Sequence, residues 1–251
     1  MQLEGKRALV TGAGRGLGLA IATKFAEYGA QVTLADLDDA TAHEAAAKIG
    51  GDAFAVHCDV TKSADVQSAI TAVTDRFGGM DVIVNNAGIE IGKPLPEITD
   101  EEFDRLMRIN VNGVFYGIKY AVPALAATQG CIINMSSVAG LGGVPLLGAY
   151  CASKAAVIRL TQTAATELRE AGIRVNAVCP AFIDTEMVER LVAPFEAATG
   201  AVFDDLAAQA QGRLGTPEEV AETVAFLASD DAKWVNGASY ILDNALTASV
   251  L

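Results

Sequence analysis

The chain has 251 residues, 51% of them hydrophobic, with 31 acidic against 18 basic side chains and a formal charge of −13. That balance excludes a disordered chain, which lacks the apolar surface needed to fold, and argues against nucleic acid or an anionic membrane surface as a partner. The apolar runs are strand-sized, as in Val82-Ile83-Val84, and none approaches the roughly 20 residues of a membrane span.

The segment from Met1 to Arg7 leads directly into a strand without the apolar stretch of a secretory signal, so a cytoplasmic protein is expected. Four cysteines (Cys58, Cys131, Cys151, Cys179) lie far apart without a CxxC pair, which favours reduced, buried thiols over a disulfide framework. His43 and His57 are the only histidines, so neither a histidine metal site nor a Ser-His-Asp triad is supported.

Strands and helices are predicted to alternate along the chain. A short apolar strand at Arg7–Thr11 meets a glycine-rich turn at Gly12–Gly18 and a helix over Leu17–Tyr28. A strand at Gln31–Asp36, a helix over Ala40–Ile49 and a strand at Ala53–His57 follow. Next come a helix over Ser63–Phe77, ended by Gly78-Gly79, and a fourth strand at Asp81–Asn85. Thr99 and Glu102 have the spacing of a capping box and predict the start of a long helix. Strands at Cys131–Met135, Arg174–Val178 and Ser239–Leu242 complete seven, with helices at Tyr150–Glu170 and Pro217–Ala228. Continuous Val/Ile/Leu runs alternating with helices predict an α/β chain, a doubly wound seven-stranded parallel sheet covered on both faces. No linker divides residues 1–251, so one domain is expected. The irregular stretch Asp184–Gly215 reads either as an insertion over the active site or as an ordinary connecting helix.

Thr11-Gly12-Ala13-Gly14-Arg15-Gly16-Leu17-Gly18 falls between the first strand and the first helix, where a dinucleotide pyrophosphate meets a helix N-terminus. Its pattern is T-G-x-x-x-G-x-G, through Gly12, Gly16 and Gly18, and not the commoner G-x-G-x-x-G. Asp36 ends the second strand. A carboxylate there can accept hydrogen bonds from adenosine ribose hydroxyls of NAD and repels the 2′-phosphate of NADP. The plainer reading of Asp36 is a cap within Asp36-Leu37-Asp38-Asp39. Arg15 pulls toward NADP, but position 37 is leucine rather than a second cation, so the weight falls on NAD.

Tyr150 and Lys154 are four residues apart on a predicted helix, on one face and a turn apart. An ammonium near a phenol favours the phenolate, so Lys154 is expected to lower the Tyr150 pKa and prepare it for proton transfer. Ser137, thirteen positions upstream, can hold a substrate oxygen.

Together these motifs resemble the short-chain dehydrogenase/reductase family over essentially the whole chain. Thr11–Gly18 looks like its cofactor loop, Asp59-Val60 like its adenine-contacting pair, and Asn85-Asn86-Ala87-Gly88 like its NNAG motif. Asn110-Val111-Asn112-Gly113 is similar to its N-x-x-G segment, and Ser137, Tyr150 and Lys154 fall at its catalytic spacing. The resemblance implies a single-domain Rossmann fold. It implies a catalytic set of Asn110, Ser137, Tyr150 and Lys154, with Asn110 holding a water that links Lys154 to solvent. It implies cofactor contacts from Gly12, Arg15, Gly16, Leu17, Gly18, Asp36, Asp59, Val60, Asn86, Ala87 and Gly88. Tyr150 and Lys154 join them, and Ile183 and Thr185 hold the nicotinamide carboxamide. Two departures stand out. Pro180-Ala181 replaces the family's Pro-Gly, and Asp243-Asn244-Ala245 replaces its Asp-Gly-Gly.

The expected reaction is reversible hydride transfer between NAD(H) and a secondary alcohol or ketone, with Tyr150 as the proton partner. Leu141, Val144, Leu146, Leu147, Ile89, Ile91, Met187, Leu191, Val192, Phe195 and Phe203 are expected to face the substrate, which suggests a lipophilic one, the plainer reading being that several of them pack the insertion against the body. The alternatives are an NADPH-dependent 3-ketoacyl-carrier-protein reductase and a non-catalytic NAD(H)-binding regulator. By resemblance a homotetramer is expected, joined through the helices near 100–127 and 150–170, with the uncharged tail 245–251 docking on a neighbour or fraying.

Overall fold

The computed structural model describes residues 3–248. Seven strands, β1 (Arg7–Thr11), β2 (Gln31–Asp36), β3 (Phe54–His57), β4 (Val82–Asn85), β5 (Cys131–Met135), β6 (Arg174–Pro180) and β7 (Ser239–Leu242), form one sheet. Every pairing is parallel, in the order β3-β2-β1-β4-β5-β6-β7. The apolar runs are continuous because both faces are covered. On one face Val10, Val84 and Ile133 pack with Ile21 and Phe25 of α1 (Gly16–Glu27) and Val224 of α9 (Pro217–Ala228). On the other, Leu9, Ile83 and Ile132 pack with Val66 and Ile70 of α3 (Ser63–Phe77) and Leu125 of α5 (Gly113–Thr128). Each pair of neighbours in a strand thus divides between the two cores, as the pleat requires. Between β2 and β3 lies α2 (Asp39–Ile49).

The capping box forms as expected: Thr99 accepts from the Glu102 amide, and Glu102 accepts from the Thr99 amide. The helix it starts is not one regular rod. It runs as α4 (Asp100–Met107), passes through a π-type turn at Arg108–Asn112, and continues as α5. Such a turn is frequent at functional sites, and here it carries the fully buried Asn110. α6 (Gly148–Glu167) starts two residues earlier than expected and stops three earlier.

The stretch 184–215 folds as α7 (Glu186–Thr199) and α8 (Phe203–Gln211), closed at its base where Ile183 pairs with Gly215. Phe203 is buried and meets the rings of Phe182 and Phe195 edge-on, at 5.2 and 5.6 Å. Phe195 and Phe203 therefore build this unit's own core instead of facing a substrate, because aromatic burial between two short helices is what holds them together.

The two motif departures differ in consequence. The Ala181 amide donates to Leu242 at an ordinary 3.0 Å. Asn244 and Ala245, in contrast, both have positive φ (45° and 70°), a conformation that side chains with a Cβ resist. Residues 249–251 of the tail expected to dock or fray lie outside the described residues.

Candidate active site

In this sheet order the chain reverses direction between β1 and β4, and the crevice beyond the strand C-termini at such a point is where an α/β sheet takes a ligand. The first βα turn lies there. Gly12 and Gly16 have φ of +63° and +54°. A Cβ on Gly12 would meet the Ala87 backbone at 2.9 Å, and one on Gly18 would collide with the Gly12 carbonyl. These glycines leave a surface of bare backbone at the start of α1, which suits a pyrophosphate. Asn86 fastens this turn to β4. Its amide nitrogen donates to the carbonyls of Thr11 and Gly12 (2.9 and 3.0 Å), while the Thr11 hydroxyl accepts from the Asn86 and Ala87 amides.

Asp36, at the end of β2, accepts from the Gly14 amide (2.8 Å) and the Asp38 amide (3.0 Å). It therefore does the work of a turn cap, the plainer of its two readings, while its carboxylate stays at the edge of the crevice. Asp38 is the cap of α2, accepting from the amides of Ala40 and Thr41. Arg15 is largely exposed, 3.6 Å from Asp38 and 3.7 Å from Glu186 of α7. Asp59 follows β3. Burial pushes its carboxyl up, but the Thr61 hydroxyl and amide together with Lys62 outweigh that and hold it below the ordinary value. Val60 packs against Gly113 at the start of α5.

The proton-transfer residues converge across β5 and α6. Ser137 follows β5, and its hydroxyl donates to Pro180 (3.3 Å) and accepts from the Ala139 amide (3.1 Å). Tyr150 and Lys154 lie in the first two turns of α6, with the Lys154 Nζ 5.5 Å from the Tyr150 ring centre. Lys154 is buried (4% exposed) and donates to the Met135 carbonyl at 2.9 Å.

The electrostatics correct one expectation. Burial pushes the Tyr150 phenol well above its usual value; Ser137 pulls it down and Glu90 pushes it further up. Lys154 is itself pushed down to about 8 by burial. Desolvation outweighs the expected ammonium effect, because both groups sit where charge is poorly solvated.

Asn110 is brought next to this set. Its carboxamide oxygen accepts from the Ile89 amide (2.9 Å), and its nitrogen donates to the Ile89 carbonyl (2.8 Å) and to Ser153 (3.0 Å). Both of its N–H groups are thereby committed to clamping the segment after β4 against α6. Gly88 lies within the same cluster. A Cβ there would stand 3.3 Å from the Asn110 oxygen and 3.5 Å from the Lys154 Nζ.

Tyr150 and Ser137 open into a cleft whose walls include Leu17, Val144, Leu147, Ile183, Thr185, Met187 and Leu191. Val144, Leu147, Met187 and Leu191 were expected there. Leu141 is exposed instead, at 45%. The site also holds residues the sequence did not single out. Glu90 lines the cleft and pairs with Arg190 of α7. Gln211 is buried and bonds both the amide and the carbonyl of Phe182, securing α8 to the end of β6. Asn134 bridges Asn85 and Thr161 in a buried chain of side-chain hydrogen bonds from β4 through β5 to α6.

Residues 12–247 match a family model described as "Enoyl-(Acyl carrier protein) reductase". The chain is 39% identical over 251 residues to meso-2,3-butanediol dehydrogenase of Serratia marcescens, covering 99% of this chain and 97% of that one. It is 42% identical over 250 residues to galactitol 2-dehydrogenase of Agrobacterium fabrum, covering 97% and 98%. A crystal structure of a short-chain type dehydrogenase/reductase from Mycobacterium marinum superposes with a TM-score of 0.91 at 35% identity, covering 99% and 98%. The chain belongs to the short-chain dehydrogenase/reductase family. It is an oxidoreductase of the alcohol–ketone class, and enzymes of this kind use a nicotinamide cofactor.

Proposed function

We propose that this enzyme interconverts a largely apolar secondary alcohol and its ketone with NAD(H), using Tyr150 as the proton partner. The observation that carries the reading is the convergence of Ser137, Tyr150 and Lys154 at one end of an apolar cleft, beside a glycine turn with bare backbone. The turn fits a dinucleotide. The main-chain groups of 12–18 would hold the pyrophosphate, Asp36 the adenosine ribose, Asp59 and Val60 the adenine, and Asn86, Ala87 and Gly88 the underside. Lys154 would hold the nicotinamide ribose, and Ile183 and Thr185 the carboxamide. When bound, the nicotinamide donates or accepts the hydride.

Tyr150 protonates the substrate oxygen in reduction and takes the proton back in oxidation. Ser137 hydrogen-bonds that oxygen and keeps it against the phenol. Asn110 positions the loop after β4 and supports the proton route from Lys154. The unit 184–215 forms the outer wall of the substrate cleft.

NAD is favoured over NADP because a 2′-phosphate at the end of β2 would face both Asp36 and Asp38, with Arg15 already beside Asp38. A carrier-protein reductase is disfavoured because α7, at the cleft wall, carries Glu186, Glu189 and Glu196 toward which an acidic carrier would have to dock. The protein is read as cytoplasmic, with Cys58, Cys131 and Cys179 as buried free thiols. No helix among the described residues is long and apolar enough to cross a membrane. A homotetramer built through α4, α5 and α6 would cover Phe103 and Phe115, which are exposed on this surface.

The test is Tyr150→Phe, with turnover and NADH binding measured separately. Turnover lost at unchanged cofactor affinity supports the assignment, and wild-type turnover refutes it.

A further inference from the structure

We propose that Glu90 selects substrates that carry a second hydroxyl near the reacting carbon, by accepting a hydrogen bond from that hydroxyl. The inference rests on the alcohol–ketone reading of the cleft and adds to it a substrate class and a residue that reads it.

Glu90 sits two residues past Gly88, and its carboxyl is turned inward, with only 8% of the side chain exposed. It lines the same cleft as Ser137 and Tyr150, together with the apolar side chains of Leu17, Leu147, Met187 and Leu191. A carboxylate this buried needs a partner. Arg190 supplies one from outside, with its Nε 3.0 Å from Oε1 and its second contact, Nη2 to Oε2, stretched to 3.4 Å.

Two consequences follow. First, Arg190 already balances the charge, so the group that complements Glu90 from inside the cleft is a neutral donor, a hydroxyl, more than an ammonium. Second, Oε2 is the less committed oxygen, since a 3.4 Å contact lies beyond the usual range for an N–H···O bond. An alcohol with a purely apolar body covers that oxygen without satisfying it, whereas a diol or hydroxyketone pairs it. Sites built to bond a substrate hydroxyl discriminate strongly against the analogue lacking it, because their own polar group is left unpaired. A single, partly compensated acceptor should give about tenfold to a hundredfold.

The experiment compares kcat/KM of the full chain for cyclohexanol, trans-1,2-cyclohexanediol and cis-1,3-cyclohexanediol with NAD. The same series is run on Glu90→Leu, Glu90→Gln and Arg190→Met. The wild type should prefer at least one diol by tenfold or more. Glu90→Leu should abolish that preference, and Glu90→Gln, whose amide oxygen still accepts and whose size preserves packing, should keep part of it. Arg190→Met should retain it, because the reading group is the carboxylate and not the ion pair. No diol preference in the wild type overturns the proposal. So does a Glu90→Leu effect that is equal on cyclohexanol and the diols, or loss of preference in Arg190→Met to the same degree, since either would make the pair only a tie between α7 and the body. A wild type inert toward all three alcohols and their ketones, with both NAD and NADP, overturns the underlying alcohol–ketone reading along with it.

Discussion

Lys154→Met offers a thermodynamic test of the site that does not depend on turnover. In the folded protein burial lowers the Lys154 pKa from 10.5 to about 8. A group whose folded pKa is lower than its unfolded one binds fewer protons when folded between those two values, so stability rises with pH across that window. Below about pH 8 Lys154 is charged in both states and the full cost of burying the ammonium is present. Above about pH 10.5 it is neutral in both states and the cost is gone. At 1.36 kcal/mol per pH unit, the fall from 10.5 to about 8 amounts to about 3 kcal/mol. Methionine has similar length and no charge, so the variant lacks this dependence. Urea unfolding followed by far-UV circular dichroism, at fixed protein concentration and from pH 7 to 11, gives both curves. Wild-type stability minus variant stability should be level near pH 7 and climb by about 3 kcal/mol by pH 11. Cys179 is coupled to Lys154 and pushed up by burial to about 11, so both proteins are compared in a Cys179→Ala background. A flat difference would refute the burial argument. A difference that falls with pH would mean that an anionic partner stabilises the ammonium, and would restore the simpler expectation drawn from the Tyr150–Lys154 spacing.

The raised Tyr150 phenol makes it an acid ready at neutral pH and a poor base there; alcohol oxidation should therefore keep rising with pH beyond pH 9, while ketone reduction should not, as initial rates in the two directions will show. Asp36→Ser should lower kcat/KM for NAD by roughly tenfold to a hundredfold, by removing charged hydrogen bonds worth about 1.5–3 kcal/mol, and raise the NADP-to-NAD ratio. An unchanged ratio would leave Asp36 as a turn cap only. Gly18→Ala drives a methyl against the Gly12 carbonyl and to 2.6 Å from the Asn86 Nδ2, so about 2 kcal/mol of stability and most NADH affinity should go, read by thermal melting and fluorescence titration. Ala245→Gly should do the reverse. Removing about 1–2 kcal/mol of left-handed strain against glycine's cost of roughly 0.5–1 leaves a net gain of about 0.5–1 kcal/mol, a rise of about 2 °C in Tm.

What was legible in the sequence was local. The runs of β1, β4 and β5, the glycine turn and the Thr99–Glu102 box each announce themselves within a few residues, because burial on both faces, positive φ and helix capping are short-range demands. Tyr150 and Lys154 were legible for the same reason: one helical turn guarantees that they are neighbours. Their electrostatics were not, since spacing gives proximity but says nothing of how much water the sheet leaves around them, and water decides the sign. The residues that were missed all act through partners far along the chain. Glu90 meets Arg190 one hundred positions away, and Asn134, inside an apolar strand, meets Asn85 and Thr161 at separations of 49 and 27. Each of these polar groups is tolerable in its place only because the sheet order delivers a partner. β4 and β5 must be adjacent for Asn85 to reach Asn134, and α7 must fold back over the end of β4 for Arg190 to reach Glu90. The unit that carries Arg190 is held by aromatic contacts among Phe182, Phe195 and Phe203 that look, in the linear chain, like substrate-facing apolar residues. The outer wall of the cleft is thus its least readable part, because it is assembled from two segments whose sequences give no sign of each other.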